Sequence, residues 1–222
     1  QSNTQPVSQQ DAAPQTNEAG ATAAFASPVP SKTTVDAGVR TGPSGTNPHP
    51  GIDVIAAEGT PVAAIADGKC IFAKEVDSTS QANYLIWSSN LNPSDPKNDG
   101  LAAYGRVILL EHTLQNGQKI YALYAHLSNI SQKLYRCNES SGITVSKGEI
   151  IGAIGKAGRA WGSHLHFEIR KKKNASAFSS RTYYYTGPTG STQGCGNDYC
   201  NPQCLITSPA NCSFGSPPTT IP

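Results

Sequence analysis

The 222-residue chain contains no methionine, and charged residues make up only 14% of it. A primary translation product begins with Met, so the chain reads as a mature or trimmed form that has lost its leader. No apolar run approaches the roughly 20 residues that a membrane-spanning helix needs, which excludes a transmembrane segment of that kind. No secretory h-region is present either. The net charge of +2 is too small to indicate a nucleic-acid partner, although Arg170, Lys171, Lys172 and Lys173 form a local basic run open to two readings, a solvated strand exit or a contact for an anionic polymer. Stretches rich in helix formers are scarce, which argues against a helical bundle.

In their place stand 21 glycines and 16 prolines, in a chain whose 37% hydrophobic content is enough for one good core. Apolar and β-branched residues come in short pieces punctuated by glycine: GIDVIA, PVAAIADG, KCIFAKEV, YGRVILLEH, KIYALYAHL, ITVSKGEIIGAIG and HLHFEIR. Such pieces predict a mostly β, antiparallel domain with a groove across one sheet. Residues 1–34 are Gln, Ser, Thr, Ala and Pro with little apolar content, and they read as a disordered, flexible tether, by which the chain is held or lipid-anchored. The folded domain is expected over 35–208, with a tail at 209–222. Two segments interrupt the strand pattern near 78–103 and 174–199, the second containing Tyr183, Tyr184 and Tyr185. Loops of that length are usually functional or mobile, and the first is placed to wall the groove.

The most informative residues are His164 and His166 in HLHFEIR. Leu165, Phe167 and Ile169 alternate with His164, His166 and Glu168, so both imidazoles project from one face of a strand. Two neutral imidazoles on one face make a chelate for a borderline-soft cation such as zinc if another strand brings further ligands. HPGIDV offers them. Pro50 and Gly51 argue against a helix there, and on a strand His49, Gly51 and Asp53 share a face, with Gly51 leaving space between two ligands. His49, Asp53 and one histidine of the HLH pair form a three-ligand set, and three protein ligands with an open position is the catalytic zinc pattern. His126, in YALYAHL, shares a face with Ala122 and Tyr124 and is thereby expected to reach the same groove. Glu168 is open to two readings, a partner that orients a ligand imidazole or a solvated strand carboxylate. His112 reads as a hydrogen-bonded histidine and not a ligand.

H-x-G-x-D, then YAHLS, then VSKGEIIGAIGKAG leading into HLHFE resembles, in order and spacing, the lysostaphin-type (LytM-type) zinc peptidases that cut peptidoglycan cross-bridges. The resemblance runs from about Ala37 to Ile206. It implies zinc (Zn2+) held by His49, Asp53 and His166, with His126 and His164 as the catalytic pair flanking the zinc-bound water. It places Arg40, in GVRTGPSGTNPHPGID, near the substrate. Some members carry a tyrosine upstream of the first ligand; no tyrosine precedes Tyr84 here, which leaves Arg40 as the candidate electrophile. The implied function is hydrolysis of a peptide cross-link of peptidoglycan outside the cytoplasm. A non-catalytic wall-binding module or a hydrolase regulator of the same fold is the alternative. A biotinyl or lipoyl carrier is excluded, because the lysine flanked by methionines expected at its hairpin tip has no counterpart in a chain without Met.

Six cysteines favour an oxidising compartment and up to three disulfides, with fifteen possible connectivities. Cys195, Cys200, Cys204 and Cys212 cluster near the end, at spacings that lack the paired C-x-x-C turns of a zinc knuckle. They are expected to staple the C-terminal segment to the core. The same cysteines lean toward a directly cross-linked wall as substrate and so toward D,D-endopeptidase activity.

Overall fold

A computed structural model of the protein describes residues 25–38, 49–74, 104–158, 160–173, 195, 199–212 and 214. The expected segment 78–103 lies outside the described residues, as do residues 1–24 and all of the expected segment 174–199 except 195 and 199. Among the described residues there are ten strands: β1 (Ile52–Ile55), β2 (Pro61–Ala63), β3 (Gly68–Lys74), β4 (Val107–Thr113), β5 (Lys119–Ala125), β6 (Leu127–Ile130), β7 (Thr144–Val145), β8 (Ile150–Ile154), β9 (His164–Arg170) and β10 (Tyr199–Cys200). Seven make one sheet in the order β1-β9-β5-β4-β3-β7, with β10 also pairing to β9, and β2-β8-β6 make a second. Every strand pairing is antiparallel. The fold is therefore the mostly β, antiparallel architecture that the strand pattern predicts.

Alternation decides which side of the large sheet is core. Ile52 and Val54 of β1, Ile108 and Leu110 of β4, Ala122 and Tyr124 of β5, and Leu165, Phe167 and Ile169 of β9 are all buried. They join Val62, Leu127, Ile130, Ile151 and Ile154 of the small sheet in one apolar cluster. The opposite side of the large sheet has its own cluster, Ile71, Tyr104, Val107, Leu109, Leu123 and Ala125. Residues directly opposite in an antiparallel pair share a face. The pairings Asp53↔His166, Ala125↔His166 and Leu123↔Glu168 therefore set the histidine row of β9 on this second side.

Two expected boundaries are corrected. The tether does not extend to residue 34, because Phe25 and Val29 are buried in the core and Ala26 N–H donates to Ile65 O at 2.7 Å. The first described residues of the expected tail at 209–222 are packed on the fold as well. Phe214 is buried against Phe25, with ring centroids 5.3 Å apart, and Cys212 is disulfide-bonded to Cys204. Isolated apolar residues in polar surroundings escape a periodicity reading, yet each buried Phe side chain contributes roughly 1.5–3 kcal/mol to holding its segment down.

All six cysteines are paired, as Cys70–Cys137, Cys195–Cys200 and Cys204–Cys212. The stapling role expected of the C-terminal cysteines is corrected: their bridges span only 5 and 8 residues and close that segment on itself. The Cys70–Cys137 bridge spans 67 residues and ties β3 to the chain after the 3-10 turn Gln132–Leu134. By loop-closure entropy it is worth about 4 kcal/mol, against about 2 kcal/mol for each short bridge.

Gly51 is needed for a reason other than ligand crowding. A Cβ there would run into Phe167 O and approach Glu168 Cγ at 2.9 Å, so the glycine lets the chain entering β1 lie close against β9.

His112, on β4, donates from Nδ1 to Asp67 O at 3.0 Å, and its buried Nε2 has no partner among the described residues. Burial is the main influence on this imidazole and lowers its pKa below the ordinary 6.5; the weaker effect of Asp67 opposes it. Below that pH the unfolded chain takes up a proton that the folded chain refuses, so stability present at neutral pH is lost on acidification. The thermal midpoint should fall less steeply between about pH 7 and 5 in His112→Leu than in the wild type. Equal slopes would contradict this account.

Candidate metal centre

β1 and β9 lie side by side, and Asp53 stands opposite His166 in their register. His49 reaches the same point from the residue pair preceding Gly51. His49 Nε2, Asp53 Oδ1 and His166 Nδ1 are each 3.0 Å from the other two. Among the described residues these three offer one ligand atom each, close enough together to hold a metal ion.

The outer hydrogen bonds decide what the inner atoms can do. His49 donates from Nδ1 to Gly38 O at 2.9 Å, and His166 donates from Nε2 to Glu168 Oε1 at 2.9 Å. Each neutral ring therefore carries its proton on the outside and turns a lone pair inward. Two imidazole lone pairs and a carboxylate oxygen converge, which is favourable only around a cation. Their separations approach the edge of about 3.4 Å that a tetrahedral ion with 2.0–2.1 Å bonds would set. The donor set, two nitrogens and one oxygen, fits zinc.

The electrostatics show the same demand for positive charge, met by a second proton on His166 when its ring is not neutral. Burial works against charge at Asp53, yet hydrogen bonds from His166 and His49 outweigh it and hold the carboxyl far below the usual range. Burial likewise disfavours a charged His166, but the bonds to Asp53 and Glu168 prevail and raise it to about 9. The pocket is built to hold one positive charge at this point.

Behind His166 is a buried network that sequence reasoning only half found. Glu168 is 0% exposed, which makes it the orienting partner and not a solvated carboxylate. Its Oε1 accepts from His166 and, at 2.5 Å, from Tyr104 Oη; its Oε2 accepts from Arg170 Nε at 2.6 Å. Burial would raise the Glu168 carboxyl, but Arg170 and His166 bring it down to about 2. Arg170 is buried between two rings, its Cζ 5.7 Å from the Tyr104 centroid and 5.8 Å from that of Tyr199 on β10. It is thus no solvated strand exit. The alternation that groups His166 with Glu168 extends to Arg170 and would have singled it out; nothing local marks Tyr104.

His126 reaches the site, but not by the expected route. Ala122 and Tyr124 face the core, so regular alternation would have carried His126 there too. Instead the strand stops at Ala125, and His126 takes a left-handed conformation with φ 61°, which turns the chain from the large sheet into β6 of the small one. For a residue with a side chain this conformation is uncommon and costly. The turn is braced: His126 N–H donates to Tyr104 O at 2.9 Å, and Arg106 donates to the carbonyls of Leu127 and Ser128. Gly105, at φ 65°, lets this brace approach Ala157 and Gly158, where a Cβ would collide with backbone.

The His126 ring lies 4.6 Å from that of His164 and 5.9 Å from that of His166. His126 donates from Nδ1 to Ala157 O at 2.7 Å, and His164 donates from Nδ1 to Gly162 O at 2.8 Å. Both therefore keep Nε2 as an acceptor in the neutral ring. His164 Nε2 is 3.7 Å from Asp53 Oδ1, outside the tight group of three. Burial, reinforced by His166 and His164, depresses His126 to about 3. Of the six residues that the sequence singled out, the structure brings five together; Arg40 lies outside the described residues.

No helix among the described residues is long and apolar enough to cross a membrane. Over 122 residues, or 55% of this chain, the sequence is 34% identical to "DD-carboxypeptidase/endopeptidase Mpg" of Neisseria meningitidis serogroup B and 31% identical to an "Uncharacterized metalloprotease" of Haemophilus influenzae. The aligned stretch is 20% of the first of these relatives and 18% of the second, so this chain spans about a fifth of the length of the curated relatives it matches. Among solved structures, the catalytic domain of lysostaphin from Staphylococcus simulans aligns with 62% of this chain and 77% of its own at 28% identity, with a TM-score of 0.38. Residues 47–178, which contain β1, β9 and the His126 turn, match the pattern of Peptidase family M23. The chain belongs to Peptidase family M23.

Proposed function

We propose that the protein is a zinc-dependent endopeptidase that hydrolyses peptide cross-links of bacterial peptidoglycan outside the cytoplasm. The observation that carries this reading is the convergence of His49 Nε2, Asp53 Oδ1 and His166 Nδ1, with the rings of His126 and His164 beside them. A relative named for DD-carboxypeptidase and endopeptidase activity supports the substrate class, and three disulfides support an oxidising compartment.

His49, Asp53 and His166 would hold the zinc. When bound, zinc supplies Lewis acidity, which brings the pKa of a coordinated water from 15.7 to roughly 7. The remaining chemistry belongs to the chain. Peptide hydrolysis needs a base that takes a proton from the attacking water and an acid that protonates the leaving amine. His126 and His164 present unprotonated Nε2 atoms while their Nδ1 atoms are tied to the carbonyls of Ala157 and Gly162. His164 is the more accessible of the two and is assigned proton transfer. His126, buried and held neutral at rest, is assigned hydrogen bonding to the developing charge or the second transfer. Arg40 remains a proposed substrate contact.

The bond cut is proposed to be the direct cross-link between D-alanine and a diamino acid. Directly cross-linked and glycine-bridged sacculi digested in parallel, with products read by mass spectrometry, should show release from the directly cross-linked wall that a zinc chelator abolishes. Release from the glycine-bridged wall alone would refute the D,D assignment, and release from neither would refute hydrolase function.

A further inference from the structure

Large apolar side chains exposed among the described residues are few; one stands opposite His164 in the sheet and another lies three residues before it in the chain. Trp161 is 90% exposed and Ile55 is 56% exposed. Ile55 stands directly opposite His164 in the β1–β9 register, so its side chain lies on the same face of the sheet. Trp161 is three residues before His164, in the connection between β8 and β9.

That connection is anchored at several points. His164 N–H donates to Gly155 O at 3.1 Å, closing its base. Ala157 O accepts from His126, and Gly162 O accepts from His164. The exposed indole thus belongs to a segment tied at both ends to the site, three residues before the group assigned to proton transfer. A fully hydrated Trp leaves a large apolar area uncovered, and covering it is favourable in proportion to the area.

We infer that Trp161 and Ile55 form an apolar rim that determines specificity, contacting the side chain of the residue next to the scissile bond and favouring alanine over glycine there. The inference rests on the peptidase reading of the site. Position selects the occupant. A rim within one strand pair of His164 meets the peptide at the bond being cut, whereas the glycan lies further along the substrate. Glycine offers such a rim nothing to cover, and alanine offers a methyl group. A single carbon in an apolar site is worth about 10-fold or more in kcat/KM.

The test uses two synthetic peptides that differ only in D-alanine or glycine on the acyl side of the scissile bond. The zinc-loaded wild type, Trp161→Ala and Ile55→Ser are compared, with zinc content measured on each. The wild type should prefer the alanine peptide about 10-fold, and in both variants the ratio should collapse toward one through KM while zinc stays stoichiometric. Equilibrium binding of uncleavable analogues, N-methylated at the scissile amide, gives a second readout that does not depend on turnover. If the wild type cleaves neither peptide, the hydrolase reading fails, and the binding arm still decides the rim. Equal affinity of the wild type for both analogues, or an alanine preference kept in both variants, overturns the proposal. So does a Trp161→Ala loss that appears only with glycan-bearing substrate, which would make the indole a sugar platform instead.

Discussion

His166→Ala is expected to lose both stoichiometric zinc and all measurable hydrolysis, whereas His164→Ala keeps its zinc and loses roughly 10²- to 10⁴-fold in rate. The two residues are neighbours on one strand face, but His166 Nδ1 sits 3.0 Å from both His49 Nε2 and Asp53 Oδ1, while His164 Nε2 is 3.7 Å from the same carboxylate oxygen. Removing one of three protein ligands weakens the metal site itself; removing the flanking imidazole leaves the three intact. His49→Ala and Asp53→Ala should behave like His166→Ala, and His126→Ala like His164→Ala. Metal content by mass spectrometry alongside peptide kinetics separates the classes. A His164→Ala protein with full activity, or a His166→Ala protein with stoichiometric zinc, would overturn these assignments.

Glu168→Ala should be the most damaging change away from the ligands. The substitution strips His166 Nε2–H of its acceptor and leaves the Arg170 guanidinium buried without its anion. Losing one partner of a buried ion pair costs about 3–5 kcal/mol, and losing the acceptor behind a ligand histidine costs about 10–100-fold in metal affinity. Glu168→Gln keeps an oxygen for His166 and should retain more zinc, although Arg170 still loses its charge partner. Tyr104→Phe removes one donor to Glu168 and should be milder than either. Thermal melting and chelator competition measure the two effects separately. Wild-type zinc affinity in Glu168→Ala would show that the network stabilises the fold without orienting the ligand.

Much of this arrangement is legible in a linear reading because alternation is a local property. HLHFEIR and HPGIDV each declare which residues share a face, and each of the seven expected strand segments contains at least one strand. What alternation does not encode is register. That Asp53 meets His166 follows from β1 pairing with β9, more than a hundred residues later, and it was reached through chemistry and a family pattern. The alternation also misled at one point. YALYAHL continues its period through His126, and only the left-handed turn there, held by Tyr104 and Arg106 from another strand's approach, shows why the histidine leaves the core side. Phe25 and Phe214 carry no periodic signal, and the pairing of six cysteines is fixed by distances that no spacing rule supplies.

β9 has consequences for the order in which the molecule is assembled. It is flanked by β1 and β5 and also pairs with β10, and its ligand contacts reach back 113 residues to Asp53 and 117 to His49. Contacts so distant along the chain form slowly, because a long loop must close before they contribute anything. The three residues proposed as metal ligands therefore remain apart on a growing or partly folded chain, and on the proposed reading zinc would be captured by the finished sheet instead of nucleating it. Under the proposed function, a hydrolytic centre divided in this way would stay inert until its own last major strand had docked.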